Sequence, residues 1–135
     1  DATNEARALF LLQDLGIITL NEDATIDKAT AADIKENPKN VEIVEIAADQ
    51  IPSRIKDVPV VVVNGNYALD ADITQYLRAQ EDADSEAAQL YANVIAVKEA
   101  NKDNEAVQEL VKVLKSDDIK AFIAENFGDT VQAAK

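Results

Sequence analysis

The stretch VPVVVVNGNY, residues 58–67, decides the predicted fold. Its continuous run of valines, Val60 to Val63, is β-branched throughout, which is typical of a central strand covered on both faces. The run ends at Asn64-Gly65-Asn66, where a turn is expected. Strands of this kind belong to sheets that carry helices, so the stretch favours an α/β fold.

Segments with strand character and segments with helix character alternate on both sides of this run. The other predicted strands are rich in Val and Ile or alternate apolar with acidic residues: Ile17–Leu20, Val41–Ile46 and Tyr91–Lys98. Three helices are predicted from good helix formers and stop signals such as Gly16: Asn4–Leu15, Ala29–Glu36 and Ala48–Lys56. The alternation predicts a mainly parallel sheet flanked by helices.

Two further helices are predicted at the end of the chain, because apolar residues recur there at helical spacing. The first stripe is Val107, Leu110, Val111 and Leu114, and the second is Ile119, Phe122 and Ile123. Ser116 is a suitable cap for the second helix. The polar residues 70–90 predict a mixture of loop and short helix.

The composition excludes several classes of protein. The chain has no Cys and no His, which removes disulfides, Cys/His zinc sites, Ser-His-Asp triads and imidazole proton transfer. With 26 acidic and 13 basic residues its formal net charge is −13, so its field repels nucleic acid and anionic lipid. We expect no cofactor, no metal, no nucleic-acid partner and no enzymatic activity.

The first candidate binding group lies at the start of the first helix. Asn4 and Arg7 are three residues apart and share a helical face. A cation in a first turn opposes the helix dipole unless an anion offsets it. The forked guanidinium together with free backbone N–H groups makes a good carboxylate receptor. The alternative is that Arg7 pairs with a nearby acid and Asn4 is only a cap.

The second candidate group follows the valine run. Asn64 and Asn66 straddle Gly65 at the carboxyl end of the predicted strand, where ligands sit in open α/β sheets. A side-chain amide offers both a donor and an acceptor, as recognition of a zwitterionic amino acid requires. The alternative is an ordinary Asn-Gly hairpin turn. Tyr67 lines a pocket or belongs to the core.

An acidic segment, residues 82–86, invites a calcium interpretation, because alternating acids can converge on a hard cation. It lacks two features of a calcium-binding loop: Ala87 stands where glycine is needed, and Asn93 stands where a bidentate Glu belongs. A solvated acidic loop is the favoured interpretation.

Several stretches of the sequence together indicate a family: TNEARAL (3–9), LLQ (11–13), LGII (15–18), ENPKNV (36–41), QIP (50–52), VNGNYAL (63–69), DSEAA (84–88) and YANVIAV (91–97). In this order they resemble the NlpA-type methionine-binding lipoproteins. The first is similar to the family pattern T-N-x-G-R-x-L-x-L-L-Q, with Ala6 in place of the glycine.

The resemblance implies one lobe of a periplasmic-binding-protein-like fold. Residues 1–98 would be the second lobe without its first strand, and residues 99–135 a helical segment that packs back on the first lobe. The first lobe, the lipid-anchor cysteine and the aromatic residues that enclose methionine have no counterpart here. We therefore expect the carboxy-terminal part of a longer protein, with weak or no ligand binding on its own.

The resemblance also implies a function. Such proteins bind methionine or a related amino acid and deliver it to the permease and ATPase of an ABC importer. They are lipid-anchored at the outer face of the cytoplasmic membrane. The positions that would bind the amino acid's charged groups are Asn4, Arg7, Asn64 and Asn93, with Asn66 and Tyr67 as weaker neighbours.

Two other functions stay open. A stand-alone α/β interaction domain could dimerise by pairing an unprotected sheet edge. A carboxylate-based enzyme would need clustered acids with raised pKa values, and no pair of acids in the sequence is singled out for that role.

Overall fold

Helix α1 is the first element of the computed structural model, which describes residues 1–82 and 84–133. It runs Ala2–Asp14, and the Asp1 carboxylate caps it by accepting a hydrogen bond from the Asn4 backbone N–H at 2.9 Å. Gly16 follows with φ +66°, a conformation that glycine adopts without strain. The predicted helix ending at this glycine is confirmed.

The chain divides into two units, Asp1–Asp82 and Ala83–Lys135. The core of the first unit forms under α1, because one face of that helix is apolar at helical spacing. Leu9 is 1% exposed and Ile18 is 2% exposed. The buried core residues are Ala6, Leu9, Leu12, Ile18, Leu20 and Ala29.

A small sheet lies against this core. Strand β1 (Thr19–Leu20) pairs antiparallel with strand β2 (Ile34–Glu36), with Leu20 opposite Ile34. The Gln13 side chain accepts a hydrogen bond from the Leu20 backbone N–H at 2.7 Å, which ties the sheet to α1. The short predicted strand after Gly16 is thus present, reduced to two residues.

The rest of the first unit consists of short elements. The 3₁₀ helices are Ala31–Asp33, Ala48–Arg54 and Thr74–Tyr76, and helix α2 is Gly65–Asp70. The predicted helix from Ala48 is therefore present as a 3₁₀ helix. Val62 is partly buried and packs on the core, whereas Val60 is 61% exposed.

The second unit is helical. It contains α3 (Glu86–Leu90), α4 (Glu105–Leu114) and α5 (Asp117–Phe127), with 3₁₀ helices at Glu99–Asn101 and Gly128–Thr130. The two final helices predicted from their apolar stripes are confirmed. So is the cap of α5, where the Ser116 hydroxyl accepts from the Ile119 backbone N–H at 3.4 Å.

The fold class is α/β, rich in helix, and its sheet differs from the prediction. In the described residues the single sheet is the two-stranded antiparallel pair, not a mainly parallel sheet. The segments 41–46, 60–63 and 91–98 have no regular secondary structure. A β-branched run favours strand geometry, but a ladder also requires a partner backbone, and within the first unit segments 41–46 and 60–63 form no ladder.

The predicted helix Ala29–Glu36 is wrong. Thr30 and Asp33 form a capping box that closes the single turn Ala31–Asp33. The backbone then becomes extended at Ile34, with φ −71° and ψ 112°, and continues as β2. The β-branched Ile34 packs on the core from that strand, and this tertiary contact outweighs local helix propensity.

No helix within residues 1–82 and 84–133 is long and apolar enough to cross a bilayer.

Candidate ligand-binding site

Three of the predicted site residues meet in the first unit. The Asn4 side-chain oxygen accepts hydrogen bonds from Arg7 Nη1 at 3.3 Å and from Asn64 Nδ2 at 3.2 Å. The contact between Asn64 and Asn4 joins residues that lie 60 positions apart in the chain. The three side chains are partly buried and polar, so they form a connected group rather than separate surface residues.

Helix α1 places two members of this group. Asn4 and Arg7 lie one turn apart, so their side chains share a face. Ala6 and Leu9 lie on the apolar face, which is buried. Packing of the apolar face therefore fixes where the polar pair lies.

Asn64 has an unusual role for its position. It is the residue before helix α2, with φ −65° and ψ 142°, which is the geometry of an N-cap. Its side chain makes no capping hydrogen bond and donates to Asn4 instead. Helix α2 begins at Gly65, so the alternative of an Asn-Gly hairpin is wrong.

Arg7 holds a carboxylate, and that carboxylate belongs to Glu81. Nη2 donates to Glu81 Oε2 at 2.6 Å and Nε donates to Oε1 at 3.2 Å. This is the bidentate geometry in which guanidinium and carboxylate match best. The side chains are 28% and 24% exposed, so water screens the pair only in part. Arg7 thus pairs with an acid, as one interpretation of the sequence allowed, and it has the geometry of a carboxylate receptor.

Sequence reasoning missed Glu81. It lies 74 residues from Arg7, beyond the reach of any helical or strand spacing rule. With 26 acidic residues in the chain, composition does not distinguish it from the rest. Only the fold brings it to α1.

The hydrogen bonds also orient the amides. Asn4 Nδ2 donates to Asp1 Oδ2 at 2.9 Å, and its oxygen receives two donors. Asn64 directs its amide nitrogen at Asn4, so its carbonyl oxygen, on the other branch of the planar amide, is directed away from that bond. The group therefore combines a cationic fork with amide oxygens, which suit a carboxylate and an ammonium respectively.

Asn66 and Tyr67 do not belong to this group by any hydrogen bond found in the described residues. Asn66 is exposed on α2. Tyr67 lines a shallow surface cavity of about 450 Å³. The other residues that line the cavity are Asp49, Pro52, Ser53, Asp70, Ala71 and Ile73. Asn4, Arg7 and Asn64 do not line it.

Asn93 lies in the second unit, exposed, in the segment that follows α3. Its assignment to the ligand site stays a prediction. In the acidic segment, Ser85 caps α3 by accepting from the Ala88 backbone N–H at 3.0 Å, and Ala83 lies outside the described residues. No group of three or more acids within the described part of the chain is arranged to hold a metal ion.

Solved structures of several proteins are similar to this chain. A crystal structure from Ruminococcus gnavus has a TM-score of 0.87 at 51% identity, covering 100% of this chain and 56% of that one. A nutrient binding protein from Burkholderia cenocepacia bound to methionine has a TM-score of 0.84 at 40% identity, with coverages of 100% and 56%. At these identities the likeness extends beyond the fold to the sequence.

The curated relatives agree with the solved structures. The D-methionine-binding lipoprotein MetQ of Salmonella typhi is 38% identical over 123 residues, which is 88% of this chain and 44% of that protein. The chain thus spans about half the length of the relatives it matches. The family model for NlpA lipoproteins matches residues 1–135, and the chain therefore belongs to the NlpA lipoprotein family.

Proposed function

We propose that this chain is part of the solute-binding component of an ABC importer that takes up methionine or a related amino acid. The observation that carries the proposal is the group formed by Asn4, Arg7 and Asn64, in which Arg7 already holds a carboxylate in bidentate geometry. Relatives that bear the name D-methionine-binding lipoprotein, and a neighbour bound to methionine, support the choice of ligand.

Arg7 would bind the α-carboxylate of the amino acid. The ligand's carboxylate is planar and bidentate, like that of Glu81, and Arg matches such groups better than Lys does. Asn4 and Asn64 would hydrogen-bond the ligand's charged groups through their amides. By resemblance alone, Asn93 stays a proposed ligand-binding residue, and Asn66 and Tyr67 remain weaker candidates.

The residue types indicate which part of the amino acid this chain would bind. The group on this chain recognises what all amino acids share, and it offers no apolar enclosure for a thioether. We propose that residues 1–98 act as one lobe, that residues 99–135 pack on a second lobe, and that the second lobe encloses the side chain. Affinity in such proteins comes from closure of two lobes around the ligand rather than from a reaction.

The proposed partners follow from this role. A permease and its ATPase would receive the ligand at the outer face of the cytoplasmic membrane, where a lipid anchor would hold the protein. The relatives are substrate-binding transport proteins and not enzymes.

A thermal-shift screen of amino acids on the full product of the gene tests the proposal. A ligand at 100 times its Kd stabilises a protein by about 2.7 kcal/mol. We expect L- or D-methionine to raise Tm and Arg7→Ala to abolish that rise, each variant being compared with its own ligand-free Tm.

Arg54→Ala is the matched control, because Arg54 also pairs with an acid, Asp57, at 3.4 Å, but its side chain is exposed. It should leave the ligand-induced shift intact. An unchanged shift in Arg7→Ala would refute the assignment of Arg7 to the carboxylate. No shift with any amino acid in the unaltered protein would refute the proposed function.

A further inference from the structure

We propose that Glu81 is a positioning residue for ligand binding, and that it holds the Arg7 guanidinium in the orientation that receives the ligand's carboxylate. The inference rests on the proposed function and names one more residue of the same site. Neither sequence motifs nor residue spacing point to Glu81.

The geometry of the guanidinium carries the proposal. An arginine has two edges that can each bind a carboxylate with parallel N–H bonds: the Nε and Nη2 edge, and the Nη1 and Nη2 edge. Glu81 takes the first edge, at 3.2 and 2.6 Å. Two bonds to one carboxylate fix both the position of the group and its rotation. The second edge, which carries Nη1, is then turned toward Asn4, whose oxygen lies 3.3 Å from Nη1.

The relative strength of these bonds shows which of them a ligand would disturb. The bonds to Glu81 are charge-assisted, and one of them is short. The Nη1 bond joins Arg7 to a neutral amide at the long end of the hydrogen-bond range. All three bonds are charge-assisted by the guanidinium, but only those to Glu81 also join opposite charges, which adds Coulomb attraction. Of these three bonds, a ligand carboxylate arriving at the Nη1 edge would therefore displace the one to Asn4 and leave those to Glu81 in place.

Burial and charge favour the same arrangement. The Arg7 and Glu81 side chains are about one quarter exposed, at 28% and 24%, and a partly buried guanidinium without a counter-ion is unfavourable. Glu81 balances that charge before the ligand arrives.

Calorimetric titration of the full gene product tests the proposal with two probes, methionine and methioninamide. Methioninamide has an amide in place of the carboxylate, so it cannot form the bidentate ion pair with Arg7, and the orientation of the guanidinium matters less for its binding. We expect Glu81→Gln, which keeps the size of the side chain and removes its charge, to weaken methionine binding about tenfold. Methioninamide is a cation and also loses the attraction of the Glu81 charge, so its affinity should fall too, but by less than that of methionine.

Glu22→Gln is the matched control. Glu22 also forms an ion pair in the first unit, with Lys35 at 3.7 Å, but its side chain is 95% exposed. It should leave both affinities unchanged. Glu81→Asp retains a carboxylate and should therefore bind methionine more tightly than Glu81→Gln does. If circular dichroism shows that the Gln variant does not fold, Glu81→Asp is tested in its place.

Two results would overturn the proposal. Equal weakening of methionine and methioninamide would give Glu81 a general structural role. Tighter methionine binding in Glu81→Gln would make Glu81 a competitor for the guanidinium. Failure of the unaltered protein to bind methionine is a separate result, which would refute the proposed function itself.

Discussion

Truncation of Leu9 to alanine should destabilise the first unit by about 3 kcal/mol. Leu9 is 1% exposed and belongs to the core formed by the apolar face of α1. The change removes three carbon atoms, which at roughly 0.8 kcal/mol per buried methylene is about 2.4 kcal/mol of lost transfer free energy. The cavity left behind adds to this, and buried Leu→Ala changes cost roughly 2–5 kcal/mol.

Leu15→Ala is the matched control, because Leu15 caps the same helix and is 50% exposed. Because the Leu15 side chain is half exposed, its truncation should lose about half of the transfer free energy and leave no closed cavity. We therefore expect the unfolding free energy to fall by about 1 kcal/mol.

Urea unfolding followed by circular dichroism measures both changes. With a slope of about 2 kcal/mol per M, Leu9→Ala should lower the midpoint by about 1.5 M, three times the effect of Leu15→Ala. Equal shifts for the two variants would refute the assignment of Leu9 to the core.

Three further substitutions test the local structure. Asn64→Ser should change the unfolding free energy by less than about 1 kcal/mol, because a new helix cap offsets the lost bond to Asn4, yet it should weaken methionine binding; a large loss of stability in a thermal melt would contradict this. Gly16→Ala should cost about 1–2 kcal/mol in urea unfolding from its positive φ alone, since a Cβ there meets no atom within 4 Å, and Gly16→Asn should cost less; equal costs would argue against strain. Ser116→Ala should cost about 0.5–1 kcal/mol by removing the cap of α5, as chemical denaturation can show; no change would mean that the 3.4 Å bond contributes nothing.

The helices were predictable because their signals are local. α1 ends where Gly16 permits a positive φ, and α5 begins where the Ser116 hydroxyl accepts a backbone N–H. Each signal acts within one turn of the helix it ends or begins, so the sequence alone contains it.

The sheet was not predictable in the same way. The valine run 60–63 has the composition of a central strand, but composition cannot supply the neighbouring backbone that a ladder needs. Val62 packs on the core while Val60, two positions earlier, is 61% exposed, so the run is not buried along its whole length. A strand needs a second segment to pair with, and the valine run contains no information about that second segment.

The candidate site shows the same division. Asn4 and Arg7 could be paired from their spacing on α1, and Asn64 was marked by its place after an apolar run. The hydrogen bond between Asn64 and Asn4, and the entry of Glu81, depend on contacts across 60 and 74 residues that no periodicity encodes. Asn66, which lies two positions from Asn64, was given the same character by the sequence, but the start of α2 leaves it exposed.

The ion pair between Arg7 and Glu81 closes a chain segment of 74 residues. Closing a loop of that length in a disordered chain costs about 4 kcal/mol from the logarithmic dependence of loop entropy on length. A single ion pair contributes less than that, so the core must offset most of the cost of bringing the two ends together. Because this cost depends on the logarithm of length, doubling the segment adds only about 0.6 kcal/mol. Loop insertions between residues 7 and 81 that leave the core intact should therefore preserve the contact between Arg7 and Glu81.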